Sequence, residues 1–142
     1  MRAAAVPLLL LVLAGCGAVH VEPPAPQGEA AAACDRLAPL LPRTLDGADR
    51  TTSTPESPYV AVWGEAEIAL RCGVPRPPRM APTDQVQEIN GVGWFADPDK
   101  PALYTAIQAP LYVEVTVAGT HTPGRVLTEL SEPIGQVSAQ TR

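Results

Sequence analysis

The most regular alternation of apolar and polar positions runs from Leu111 to Val117. Leu111, Val113, Val115 and Val117 fall on one side and Tyr112, Glu114 and Thr116 on the other, which predicts a half-buried β-strand. Residues 67–72 alternate in the same way, with Ile68, Leu70 and Cys72 on one face and Glu67, Ala69 and Arg71 on the other. Residues 59–63 are β-branched and aromatic and predict a strand just before, with Gly64-Glu65 as the turn between. Two apolar runs, 86–89 and 92–96, flank Asn90-Gly91, a pair that favours a type I′ hairpin turn. Residues 102–108 add a further strand, joined around Pro110 to the one ending at Val117.

Two stretches switch to helical spacing. Residues 29–38 are Ala-rich, and Cys34, Leu37 and Leu41 recur on one face until Pro39 and Pro42 end or bend the helix. Thr122-Pro123 has the form of an N-cap followed by proline at the first helical position. Val126, Leu127, Leu130, Ile134 and Val137 then supply an apolar stripe, and Pro133 predicts a break after Ser131. Residues 44–58 and 73–82 are rich in Pro, Gly and polar side chains and read as loops. Short turns between neighbouring strands make this an α+β domain. Its expected form is a mainly antiparallel sheet of about five strands, flanked by an N-terminal and a C-terminal helix packed on one face.

The amino terminus follows a different logic. Arg2 precedes residues 3–14, which carry no charge and are too short to span a bilayer, where about 20 apolar residues are needed. The run closes on Leu13-Ala14-Gly15-Cys16, which looks like a lipobox. The expectation is a signal peptide over 1–15 and a diacylglycerol on the Cys16 thiol. That lipid would tether the chain to the outer face of the cytoplasmic membrane. Residues 16–28 hold Pro23, Pro24 and Pro26 and read as the lipidated cysteine and an extended tether, with His20 solvated in it. Residues 29–142 then form a single extracytoplasmic domain of suitable size.

Charge narrows the partners. Without residues 1–15 the chain carries nine Lys+Arg against fifteen Asp+Glu, a net charge of about −6. That excludes nucleic acid, which needs clustered basic charge, and electrostatic adhesion to anionic head groups. With Cys16 committed to lipid, Cys34 and Cys72 remain. Two thiols in an oxidising compartment usually pair; the alternatives are two free thiols or a two-ligand metal site. No further ligands at metal-site spacing stand near them, and no cofactor motif is present. Gly91-Val92-Gly93 lacks the third glycine of a dinucleotide loop.

No catalytic residue can be assigned. Outside the tether the only histidine is His121, in a Gly-Thr-His-Thr-Pro turn, where it reads as a surface residue. Ser53, Ser57, Ser131 and Ser138 lack a nucleophile-elbow context. Glu65, Glu67, Glu88, Asp97, Asp99 and Glu114 stand in no motif that would pair them for glycoside cleavage. The more suggestive set is Arg71, Arg76 and Arg79 in and beside the Pro-rich loop, with Trp63 and Trp94. Arginine offers bidentate contacts to carboxylates or phosphates, and tryptophan offers stacking area. The ordinary alternative is preferred, in which both tryptophans fill the core and the arginines solubilise the loop. Trp63, Arg71, Arg76 and Trp94 are still where a ligand would be sought.

Several segments occur together in a familiar order: Ser57-Pro58-Tyr59, Trp63-Gly64, Ile68 to Pro77 (Ile-Ala-Leu-Arg-Cys-Gly-Val-Pro-Arg-Pro), Glu88 to Phe95 (Glu-Ile-Asn-Gly-Val-Gly-Trp-Phe) and Val113 to Val117. In these the chain resembles the actinobacterial lipoproteins grouped as domain of unknown function 3515, from the lipobox to the last helix. The resemblance implies export, a lipidated cysteine and one small extracytoplasmic domain, and it carries no activity. The expected function is a non-catalytic binding or accessory module of the cell envelope, with an envelope protein or glycan as partner. The competing readings are a small envelope hydrolase acting on peptidoglycan or a lipid-linked substrate, and a plain spacer.

Overall fold

A computed structural model describes residues 18–140. The expected signal segment, 1–15, and the expected lipidation site, Cys16, lie outside the described residues. The elements are β1 (Val19–His20), α1 (Gly28–Leu37), β2 (Thr44–Leu45), β3 (Ala48–Thr51), β4 (Ser53–Thr54), β5 (Val60–Trp63), β6 (Ile68–Cys72), β7 (Gln87–Ile89), β8 (Val92–Ala96), β9 (Leu103–Gln108), β10 (Leu111–Val117) and α2 (Pro123–Ala139). The fold is α+β, and every pairing in its main sheet is antiparallel. That sheet has eight strands in the order β2-β3-β5-β6-β10-β9-β8-β7, not five; β1 and β4 form a separate parallel ribbon.

The additional strands come mostly from residues 44–58, expected as loop. Asp46 and Gly47 both have positive φ, 44° and 83°, and form the two-residue turn between β2 and β3. The strands escape the alternation test because β3 reads Ala-Asp-Arg-Thr with only Ala48 buried. Backbone pairing of β2 to β3 and of β3 to β5 specifies them, with Leu45 and Ala48 the two side chains they add to the core. Asn90 and Gly91 repeat the same geometry, φ 49° and 80°, at the expected β7–β8 turn.

Both helices lie against one face of the sheet. The core joins Ala33, Cys34 and Leu37 of α1 and the α2 stripe from Val126 to Val137 to Trp63, Leu70, Val115, Trp94 and their neighbours. α2 does not break at Pro133. An interior proline costs about 3 kcal/mol. Pro133, Ile134 and Val137 are all buried beyond that point, and each large apolar side chain buried returns about 1.5–3 kcal/mol.

The Cys34–Cys72 disulfide ties α1 to the end of β6, with the Cα atoms 5.7 Å apart. Gly73 follows at φ 84°, and a Cβ there would overlap the Pro26 ring. The amino-terminal strap therefore passes close over this corner. Residues 18–27 are extended, as the prolines require, but they do not stand free of the domain. Val19 and His20 pair with Ser53 and Thr54, the Val21 amide donates to Thr54 O at 3.1 Å, and Arg71 Nε donates to Glu22 O at 2.9 Å.

Candidate functional site

Alternation in β6 decides which way the chemistry faces. Because Cys72 and Leu70 point to the helices, Arg71 points to the other side of the sheet. Cross-strand register then sets a row over that second face: Val60, Arg71, Glu114, Thr105 and Phe95. Arg71 Nη1 meets Glu114 Oε1 at 2.9 Å. The Pro-rich loop folds over this row and buries its own Val74 and Pro77. Between loop and sheet lies a cleft of about 530 Å³, lined by Arg71, Arg76, Arg79, Lys100, Asp97, Asp99, Glu114 and the apolar Val74 and Leu103, among others.

The charges of the cleft are partly spoken for. Arg79 Nε pairs with Asp99 Oδ2 at 2.6 Å, and Arg76 Nη1 donates to Met80 O at 2.8 Å, which braces the loop. Asp97 Oδ1 accepts the backbone amides of Asp99 and Lys100 at 2.8 and 3.0 Å. The result is a mixed-charge cleft with apolar side chains among its lining, a surface suited to a carboxylate- or phosphate-bearing group set beside an apolar one.

The four residues singled out in the sequence do not make one groove. Trp63 and Trp94 are 0% and 2% exposed, on the helix side of the sheet. Trp63 Nε1 donates to Pro42 O at 3.0 Å, and Trp94 Nε1 donates to Ser131 Oγ at 2.9 Å. Arg71 and Arg76 line the cleft on the opposite side. Strand parity separates the two sets: Trp63 opposes Ile68, an inward position, while Arg71 is an outward one. The aromatic part of the expected groove is therefore core, and the arginine part stands without it.

A second cluster was missed. His121 is no solvated turn residue. Its Nδ1 lies 3.1 Å from Asp46 Oδ2 and its Nε2 2.8 Å from Glu67 Oε2, and the side chain is only 10% exposed. Asp46 also accepts the Thr122 amide at 3.3 Å and faces Arg125 Nη1 at 3.8 Å. The imidazole thus joins the β2–β3 turn, the β5–β6 turn and the β10–α2 loop. Sequence separations of 75 and 54 give no local signal for it. The hydrogen bond to Glu67, then that to Asp46, raises the His121 pKa above its ordinary 6.5. The hydrogen bond to His121 holds Asp46 below 3.8. With a carboxylate on each ring nitrogen, neither nitrogen is free to take a proton from a nucleophile while the cluster is closed. The two carboxylates flank the ring without converging on a point, and among the described residues no group of three or more His, Cys, Asp and Glu side chains could hold a metal ion.

The sign of the linkage follows. A histidine raised in the folded state stabilises most below about pH 6.5 and loses that contribution as pH rises through its folded value. Asp46, lowered, contributes above its ordinary value and is lost only in strong acid. His121→Gln is therefore expected to lower the melting temperature most at about pH 5–6 and progressively less toward about pH 9. Paired thermal melts across that range check it; a gap that widens with pH would refute the protonated clamp.

No curated protein and no solved structure matches the chain at a significant level. The family model described as protein of unknown function (DUF3515) matches residues 3–142. Matched along nearly its whole length, the chain belongs to that family.

Proposed function

We propose that this is a lipid-anchored extracytoplasmic protein whose single domain binds an envelope partner, protein or glycan, without catalysing a reaction. One observation carries the binding part: the cleft under the Pro-rich loop, where cationic and anionic side chains stand among apolar ones. The Leu13-Ala14-Gly15-Cys16 sequence supports the anchor, and pairing of the two remaining cysteines suits an oxidising compartment. Commitment of both His121 nitrogens to carboxylates favours binding over the hydrolase alternative. Within the cleft, Arg71 and Arg76 are the contacts of choice, in place of the fourfold set that included Trp63 and Trp94.

The test is crosslinking and affinity capture of the acylated protein from its own envelope. Wild type should recover a reproducible protein or glycan. Arg71→Ala/Arg76→Ala, melting within a few degrees of wild type, should recover about tenfold less, the loss that about 1.4 kcal/mol produces. Equal recovery by the variant removes the cleft from consideration. Cys16→Ser should shift the protein from the membrane to the soluble fraction; continued membrane association without an acyl mass would refute the anchor.

A further inference from the structure

The strap formed by residues 18–27 has a consequence for where the domain sits. A spacer of that length, left free, would let the domain wander tens of ångströms from its anchor. Here the chain is captured almost at once. Val19 and His20 pair with Ser53 and Thr54, and Glu22 is held by Arg71. From Cys16 to Val19 there are three residue steps, a reach of at most about 11 Å when fully extended. From Cys16 to Glu22 there are six, or about 20 Å.

We propose that the end of the domain carrying the β1–β4 ribbon and the adjoining residues 50–57 is a membrane-contact surface, held against the lipid head groups in one orientation. This rests on the lipid-anchored reading above. A diacylglycerol on Cys16 places that residue in the head-group layer, and the next three residues cannot carry Val19 beyond it by more than their own length. The surface beside the ribbon is polar and close to balanced: Arg50, Thr52, Glu56 and Ser57 share a shallow depression there, and His20 and Glu22 stand exposed on the strap. Such a surface is compatible with head groups and has no excess positive charge to attract anionic lipid, so the short tether, not Coulomb attraction, enforces the contact. The opposite edge, β7, lies five strand steps from β5, about 24 Å away across the sheet. Because Glu22 also touches Arg71, the ligand cleft is confined to the first few nanometres above the bilayer. Its partner must then present its recognised group at or near the membrane surface.

The experiment uses the acylated full chain in phosphatidylcholine vesicles containing head-group spin-labelled lipid, with the acyl mass on Cys16 confirmed first. A fluorophore is placed on Thr52→Cys, next to Ser53, or on Glu88→Cys in β7; both positions are exposed. The Thr52 site should be quenched several-fold more than the Glu88 site, to the same extent with and without anionic lipid. A flexible Gly/Ser insert of about 12 residues between Gly17 and Ala18, spanning about 20 Å, should bring the two sites level while leaving the protein membrane-bound. Equal quenching in the uninserted, acylated protein overturns the orientation and leaves the anchor standing. Quenching that survives the insert overturns the tether as its cause. Absence of the acyl mass overturns the anchor and the orientation together.

Discussion

Cys34→Ala/Cys72→Ala is expected to lose about 4 kcal/mol, the chain-entropy value for a closed loop of this size. The bridge spans a sequence separation of 38 and joins the first helix to the end of β6. In the unfolded chain it removes the conformations in which residues 34 and 72 lie far apart; in the folded chain both cysteines are at most 2% exposed. A domain of this size commonly has only 5–15 kcal/mol in total, so the loss would be a large part of the whole. Urea unfolding of wild type and variant, each read by tryptophan fluorescence, measures it. A loss below about 1 kcal/mol would mean that the reduced chain already holds α1 against β6 before folding is complete. The same corner holds Gly73 and Pro26, so loosening of the amino-terminal strap should accompany the loss. Faster hydrogen exchange at Val21 would report it.

Trp63→Ala is expected to cost about 3–5 kcal/mol, as for other aromatic-to-alanine changes in cores. Trp63 is fully buried, its indole N–H satisfies Pro42 O, and the Arg50 guanidinium lies 5.1 Å from its ring centroid. Alanine removes the packing and leaves the half-buried Pro42 carbonyl without its donor. Trp63→Phe keeps most of the volume and isolates the hydrogen bond, so its cost should be nearer 1–3 kcal/mol. Chemical denaturation of the two variants separates packing from hydrogen bonding. This comparison also distinguishes a core tryptophan from a ligand-stacking one. If Trp63→Ala folded with unchanged stability and lost only partner recovery, the placement of Trp63 in the core would be wrong.

Both predictions depend on elements that were legible to different degrees. β6, β10 and both helices follow from local pattern, because each buries one face and the burial repeats at the period of its own backbone; β5, buried throughout, follows from its β-branched and aromatic run, and β8 from the Asn90-Gly91 turn before it. The β2–β3 hairpin does not, since its side chains are mostly exposed and only paired backbone distinguishes it from a loop. Its Asp46-Gly47 turn was the available signal. The continuity of α2 through Pro133 also lay beyond local reading. Propensity sees the missing amide of the proline, whereas the outcome depends on what Ile134 and Val137 bury against.

The candidate site divides along the same line. That Arg71 faces away from Cys72 is dictated by strand parity, so an outward arginine beside an inward cysteine was readable from six residues. That Arg76, Arg79, Lys100, Asp97 and Glu114 surround one cleft required the loop to fold over the sheet. That Trp63 and Trp94 lie on its far side required the register between strands. The His121 cluster is the extreme case, since three turns far apart in the chain meet only when the sheet is assembled.

Local order therefore set the class of the fold, the hairpin after Ile89, the inward cysteines and the family, because each is written in neighbouring residues through backbone period, turn chemistry or an uninterrupted motif. Long-range assembly settled the eight-stranded sheet, the capture of residues 18–27, the cleft and the clamp on His121. Their energies come from contacts between residues whose separation along the chain carries no information until the chain has closed on itself.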